Sequence, residues 1–151
     1  MNREQAIEWC NRFYERVWHE SDPEKFGAAI DELVSKDCVV IGLPRGENIA
    51  RAGFRQFRMM FFRSLDRVRI VAQDCVTDGD RIAVRASFDA WRGDKHVTIP
   101  GSAMLEVRDG QIVEAFNHWD WLSLLEQFDA IPGNALVQTL ERFAVDAEAK
   151  R

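Results

Sequence analysis

The chain of 151 residues carries 20 lysines and arginines against 25 aspartates and glutamates, which gives a formal net charge of −5. This length suits one domain with a hydrophobic core, and we expect residues 1–151 to form it. The negative charge argues against nucleic-acid binding, and no apolar run is long enough to span a bilayer. Because charges interrupt the N-terminal segment where a signal peptide needs its apolar centre, we expect a cytoplasmic protein.

The N-terminal part of the chain is predicted to be mainly helical. Apolar residues recur at three- and four-residue steps within 3–20 and predict a first helix. "SDPEKF" contains a capping residue followed by proline, so a second helix should begin there and run to about Val34. Residues 37–44 predict a short buried strand, and a third helix with a phenylalanine-rich apolar stripe follows over about 48–65.

The C-terminal part changes to a strand pattern. Tight turns at "DGD", "RGDK" and "RDG" separate four predicted strands, in "RVRIVAQDCV", "RIAVRASFDAW", "HVTIPGSAMLEV" and "QIVEAFNHWDWL". Pro100 or Gly101 predicts a bulge or kink in the third of these strands. Two short helices close the chain. Helices followed by an antiparallel meander predict an α+β domain.

The alternation of side chains along two strands leaves two interpretations open. In the last strand, one face carries Phe116, His118 and Asp120, and the other carries Asn117, Trp119 and Trp121. In the strand 82–91, Ser87, Asp89 and Trp91 share one face, and Ile82, Val84 and Phe88 share the other. Either the aliphatic face is the core and Asp89 lies in solvent, or the polar face lines an internal cavity and the tryptophans pack on a partner subunit.

Four strings together span nearly the whole chain: "FYERVWHESDPEKF", "LPRGENIARAGFRQFRMMF", "DGDRIAVRASFDA" and "GSAMLEVRDGQIVEAFNHWDWLSLLEQFDAIP". In their order and spacing they resemble the SnoaL-like branch of the NTF2-like superfamily, which also includes ketosteroid isomerases and limonene-epoxide-hydrolase-like enzymes. The resemblance implies a cone in which a curved antiparallel sheet wraps around N-terminal helices and encloses a deep pocket for a small, mainly apolar molecule. It also implies a homodimer through the outer sheet face. It thus favours the second interpretation, with Asn117, Trp119 and Trp121 at the dimer interface.

The resemblance to SnoaL-type cyclases falls on Asp120, where the family has an acid/base aspartate near the end of the last strand. A carboxylate in a half-apolar pocket has a raised pKa, which suits that role. His118, two residues earlier on the same face, is the predicted proton-sharing partner. The alternative role for Asp120 is to cap the helix that begins near Leu122.

Two other branches resemble the chain less well. Asp89 and Asp120 match the two aspartates of the epoxide hydrolases, but the arginine of that set falls on Ser87. Tyr14 matches the tyrosine of the ketosteroid isomerases, whereas the base falls near Gly42 and the second acid on Ser102 or Ala103. Steroid isomerisation is therefore not expected. Tyr14 is predicted either to offer its hydroxyl to a ligand or to lie at a helix edge in water.

Further candidates for substrate contacts are Ser87, Phe116, Trp91 and Arg58. Trp91 is predicted at the pocket rim, or alternatively packed at a hairpin end. Arg58 belongs to a basic, phenylalanine-rich helix, where it would either reach into the pocket to hold an anionic substrate or cover apolar surface beside solvent. The histidines and cysteines fit no metal-binding spacing, so neither a metal nor another cofactor is expected.

Three functional hypotheses follow from the sequence. The first is a cofactor-free acid/base enzyme, such as a cyclase, isomerase, lyase or hydrolase, with Asp120, His118, Asp89 and Tyr14 at its site. The second is a non-catalytic ligand-binding or accessory module that uses the same cavity. The third is a scaffold whose main role is dimerisation.

Overall fold

The computed structural model describes residues 1–42 and 48–150, so the end of the strand predicted over 37–44 lies outside the described residues. Its helices are α1 (Arg3–Tyr14), α2 (Pro23–Leu33), α3 (Arg51–Ser64), α4 (Trp121–Gln127) and α5 (Ala135–Ala149). A capping box at Asn2 and Gln5 begins α1, and Asp22 caps α2 through the Glu24 N–H. The helix predicted over 3–20 changes hydrogen-bonding pattern after Tyr14 and ends in a π-helical turn, Glu15–His19.

The sheet has five described strands in the order β1-β5-β4-β3-β2. They are β1 (Val34–Ile41), β2 (Arg67–Asp78), β3 (Arg81–Arg92), β4 (Lys95–Arg108) and β5 (Gln111–Trp119). The last four form the predicted antiparallel meander. β1, which comes from the helical part of the chain, pairs with β5 in parallel. The α+β prediction is confirmed.

The core lies between the helices and the inner face of the sheet. Ile82, Val84 and Phe88 of β3 are buried there, as the simpler interpretation of the strand pattern predicts. Trp18, on the π-helical turn, meets Phe88 with ring centroids 6.1 Å apart. It also meets Phe54 and Phe61 of α3 at 6.1 and 5.7 Å. Aromatic packing therefore joins the helices to the sheet at the place where a cavity opens.

The edge strand β2 is covered by helical side chains. Asn11 accepts a hydrogen bond from the Ala72 N–H at 2.9 Å, and the Nε2 atom of His19 accepts one from the Ile70 N–H at 2.8 Å. Burial is the main cause of the lowered pKa of His19. The neutral ring is also the form that can accept a hydrogen bond. These contacts satisfy groups that would otherwise be exposed on a sheet edge.

A β-bulge at Val113 changes the orientation of the side chains in β5. Glu106 pairs with Glu114 and Val107 pairs with Ile112, which leaves Val113 as the extra residue. An extra residue interrupts the two-residue alternation, so the side chains beyond it point to the opposite face from the one that simple counting gives. The pairing of β3 with β4 continues without a shift through Pro100 and Gly101, so of the predicted bulge or kink the bulge is wrong.

Candidate functional site

An enclosed cavity lies between the inner sheet face and the helices. Aromatic side chains from helices and strands form much of its wall: Phe13, Tyr14, Trp18, Phe54, Phe57, Phe88, Trp119 and Trp121. Aliphatic side chains of the sheet, such as Ile70 and Leu105, complete it. The cavity volume is about 40 Å³. That is space for a few water molecules, and a bicyclic ligand would require side chains to move.

Two polar groups other than indoles lie in the described part of this wall. Tyr14 is buried, and burial raises the pKa of its hydroxyl far above the ordinary value, so the group stays a hydrogen-bond donor at physiological pH. Asn117 of β5 donates from its side-chain amide to the Ile41 carbonyl at 3.3 Å. The amide oxygen of Asn117 can act as a hydrogen-bond acceptor. The site therefore offers a donor and an acceptor within an apolar enclosure.

The backbone of β1 approaches Asn117 closely at Gly42. A Cβ atom at Gly42 would lie 1.9 Å from the Asn117 carbonyl oxygen. The φ angle of Gly42 is +83°, in the left-handed region that favours glycine. Gly42 therefore lets the end of β1 lie directly against β5, which fixes Asn117 in the cavity wall.

The structure reverses the faces predicted for the end of β5. Asn117 and Trp119 line the cavity, whereas His118 is exposed on the outer face with Phe116 beside it, at a ring distance of 4.9 Å. The resemblance implies the opposite faces, whereas the bulge at Val113 turns Asn117 and Trp119 to the inner face that Ile112 also occupies. The predictions that His118 faces the cavity, and that Asn117, Trp119 and Trp121 form an outer dimer surface, are therefore wrong about placement.

Asp120 is exposed and lies immediately before α4. Its carboxylate accepts a hydrogen bond from the Ser123 N–H at 3.0 Å, which is the helix-capping role given above as the alternative. Among the described residues, no hydrogen bond or ion pair joins Asp120 to His118 or Asp89. The structure thus separates the residues of the predicted acid/base set.

Ser87, Asp89 and Trp91 alternate with the buried residues of β3 and lie on the outer side of the sheet. The Asp89 carboxylate accepts a hydrogen bond from Thr98 Oγ1 at 2.6 Å and lies 3.1 Å from the Nε2 atom of His96. The Trp91 indole stacks on the His96 ring at 4.3 Å. The prediction that these β3 side chains face the cavity is therefore wrong, and Trp91 has the alternative role of packing near a hairpin end.

Arg58 is 3% exposed and is not one of the described residues that line the cavity. Its guanidinium donates to the carbonyls of Val17, Trp18 and Glu20 at 2.7, 3.2 and 2.9 Å, and it lies 4.3 Å from the Phe26 ring. Burial lowers the pKa of Arg58 to about 10, so it remains a cation at neutral pH. These contacts hold the end of the π-helical turn, and neither role predicted for Arg58 matches them.

The outer sheet face opposite the cavity has an apolar centre. Val76 is 70% exposed and Met104 is 57% exposed. Together with Phe116 and Ala83 they line a shallow groove with charged residues at its margin, among them Arg81 and Glu114. Any association through this face would therefore involve these residues.

None of the described helices is both long and apolar enough to cross a membrane.

Several cavity residues had no functional role in the sequence analysis. The pattern places Phe57 only in the apolar stripe of its helix, does not single out Trp18, and assigns Asn117 to the outer surface. Their joint placement depends on contacts between distant elements. One usable signal is present in β3, where Ile82, Val84 and Phe88 share the inner face, in agreement with the first of the two interpretations that the alternation leaves open.

Comparison with known proteins gives consistent matches at the level of fold. A protein from Bacillus cereus ATCC 10987, provisionally named a polyketide cyclase, is 25% identical with a TM-score of 0.70, over 83% of this chain and 80% of that one. A provisionally named SnoaL-like polyketide cyclase from Jannaschia sp. CCS1 is 18% identical with a TM-score of 0.67, over 86% and 95%.

A third match is a protein of ketosteroid isomerase-like fold from Catenulispora acidiphila DSM 44928, solved in complex with trimethylamine. It is 16% identical with a TM-score of 0.66, over 82% of this chain and 93% of that one. No curated protein matches the sequence. The family model for the SnoaL-like domain matches residues 10–115. The chain, whose fold is of the NTF2-like α+β type, therefore belongs to the SnoaL-like domain family.

Proposed function

We propose that this protein binds a small, mainly apolar and uncharged molecule in the internal cavity. The observation that carries the proposal is the composition of the described wall, which is aromatic and aliphatic except for Tyr14, Asn117 and the indole N–H groups. In such sites the apolar wall provides most of the binding free energy, and a few polar groups orient the ligand.

The electrostatics of the cavity favour a neutral ligand with a carbonyl or hydroxyl oxygen. The described wall contains no lysine, arginine, histidine or carboxylate that would compensate a ligand charge. An ion would therefore lose its hydration without a counter-ion, which is costly. A carbonyl oxygen, in contrast, would accept a hydrogen bond from the Tyr14 hydroxyl, which stays protonated because its pKa is raised.

Calorimetric titration with a matched pair of probes tests this proposal. 2-Tetralone and tetralin share a bicyclic skeleton, and only 2-tetralone carries a carbonyl. We expect 2-tetralone to bind more tightly, by the factor of about threefold to tenfold that one net hydrogen bond provides. Tyr14→Phe should remove this difference and leave the affinity for tetralin unchanged. Equal binding of the anion 2-naphthoate, or binding of neither neutral probe, would contradict the proposal.

A second candidate function is acid/base catalysis; two of the structurally similar proteins are provisionally named polyketide cyclases. The observation that favours it is the position of Asp120, which lies in the chain between the cavity residues Trp119 and Trp121. In this scheme Tyr14 would polarise a ligand carbonyl, and Asp120 would remove a proton from the adjacent carbon. The scheme requires the Asp120 carboxylate to leave Ser123 and turn toward the cavity.

Proton exchange separates the two candidates. In D₂O, an acid/base enzyme would accelerate deuterium incorporation next to the carbonyl of 2-tetralone above the rate in buffer, and NMR measures this rate. Asp120→Asn is the matched variant, because asparagine caps helices about as well as aspartate. Acceleration that Asp120→Asn abolishes would support catalysis. Binding without acceleration would leave the ligand-binding proposal as the function.

A further inference from the structure

The indole of Trp119 lies directly on the backbone of the neighbouring strand. Trp119 of β5 pairs with Gly101 of β4. A Cβ atom at Gly101 would lie 2.0 Å from the Cε3 atom of this indole, which is far inside van der Waals contact. The indole can occupy its position only because residue 101 has no side chain.

This contact lets one side chain cross a whole strand. β4 lies between β5 and β3 in the sheet, and adjacent strands are about 4.8 Å apart. The Trp119 ring nevertheless reaches Phe88 of β3, with centroids 5.7 Å apart. It also lies 6.2 Å from the Trp121 ring. The indole therefore extends over Gly101 across the inner sheet face and forms part of the cavity wall.

The position of this indole helps to explain why the cavity is small. The cavity volume is about 40 Å³, although the wall is built from large side chains spread over many elements. Trp119 is only partly buried, so its indole lies at the boundary between the cavity and the surface. Among the described residues, no hydrogen bond holds its N–H. Moving the ring would therefore break packing contacts, but it would not break a hydrogen bond between the indole N–H and another described residue.

We propose that Gly101 and Trp119 together determine the size of the ligand that the cavity accepts. Gly101 holds open the place in which the indole lies, and the indole occupies space that a larger ligand needs. This inference rests on the proposed function, since it concerns the same cavity. Loss of the indole should admit larger ligands, and a side chain at residue 101 should do the same by displacing the indole.

A series of neutral ketones of increasing size tests the inference by calorimetry: acetophenone, 2-tetralone and 9-fluorenone, with one, two and three rings. In the wild-type protein we expect affinity to fall as rings are added, from acetophenone to 9-fluorenone. Trp119→Ala should improve 9-fluorenone binding by about tenfold or more relative to acetophenone, because the deleted ring leaves a cavity. Gly101→Ala should shift the preference in the same direction. Trp91→Ala on the outer sheet face is the matched control and should leave the wild-type order unchanged.

The double variant provides the sharpest comparison. If Gly101→Ala acts by displacing the indole, it should have no further effect on ligand size preference in the Trp119→Ala background. Circular dichroism would first establish that each variant is folded. Trp119→Phe, which removes less volume, replaces Trp119→Ala if that protein does not fold.

The outcomes separate this inference from the proposed function. If no ketone binds the folded wild-type protein or its variants, the proposed function fails and the inference fails with it. If the ketones bind but Trp119→Ala and Gly101→Ala keep the wild-type size preference, only the inference is overturned. Additive effects of the two substitutions would also overturn it, because the glycine would then not act through the indole.

Discussion

Replacing Arg58 with methionine should destabilise the protein without weakening ligand binding. The substitution keeps an apolar stem beside Phe26 and removes the hydrogen bonds to the carbonyls at the end of the π-helical turn. Three hydrogen bonds from a charged donor contribute about 1.5–3 kcal/mol each, or about 6 kcal/mol together. The fall of the Arg58 pKa to about 10 corresponds to a burial cost of about 3 kcal/mol. The expected net loss is therefore about 3 kcal/mol.

Urea unfolding followed by circular dichroism measures this loss as a change in the free energy of unfolding. Arg63→Met is the matched control, because Arg63 lies on the same helix and is exposed. The control should change stability by less than about 0.5 kcal/mol. A variant Arg58→Met as stable as the control would refute the structural role given to Arg58. A loss of affinity for 2-tetralone in the folded variant would contradict the absence of Arg58 from the described wall of the cavity.

Three further predictions concern pH, capping and association. The pKa of His19 is lower in the folded state than in the unfolded state, so neutral His19 stabilises the fold fully above about pH 6.5, and this stabilisation is lost as the pH falls toward the folded-state pKa. His19→Gln should therefore reduce the loss of urea resistance between pH 7.5 and 5.5. An equal loss in the variant and the wild-type protein would contradict this role of His19. Asp120→Ala should cost about 1 kcal/mol of unfolding free energy while Asp120→Asn costs little, and equal losses would argue against capping. If the outer face mediates a homodimer, Met104→Lys should halve the sedimenting mass, whereas a monomeric wild-type protein would refute dimerisation.

The main features of the fold could be predicted because they depend on local signals. Residues such as Asp22 and the glycines of the tight turns specify where helices begin and strands reverse, and these signals act within a few residues. The parallel pairing of β1 with β5 could not be predicted in this way. It joins segments more than 70 residues apart, and no local pattern identifies the partner strand.

The candidate site was less predictable because one inserted residue decides it. Alternation groups the side chains beyond the bulge correctly but does not say which group faces inward. The bulge at Val113, which decides this, has no glycine or proline to mark it. The close contact of Trp119 with Gly101 was also hidden, since the glycine suggested a kink in its own strand rather than space for a neighbour. Asp120 was the exception, because its capping role depends only on the helix that follows.

The position of a bound ligand tests the central proposal most directly. A crystal structure of the protein with 2-tetralone should place the carbonyl oxygen within hydrogen-bonding distance of the Tyr14 hydroxyl, with the rings against the aromatic side chains of the cavity wall. A ketone bound on the outer sheet face beside His118, with the cavity still closed, would contradict the proposal that the cavity is the binding site.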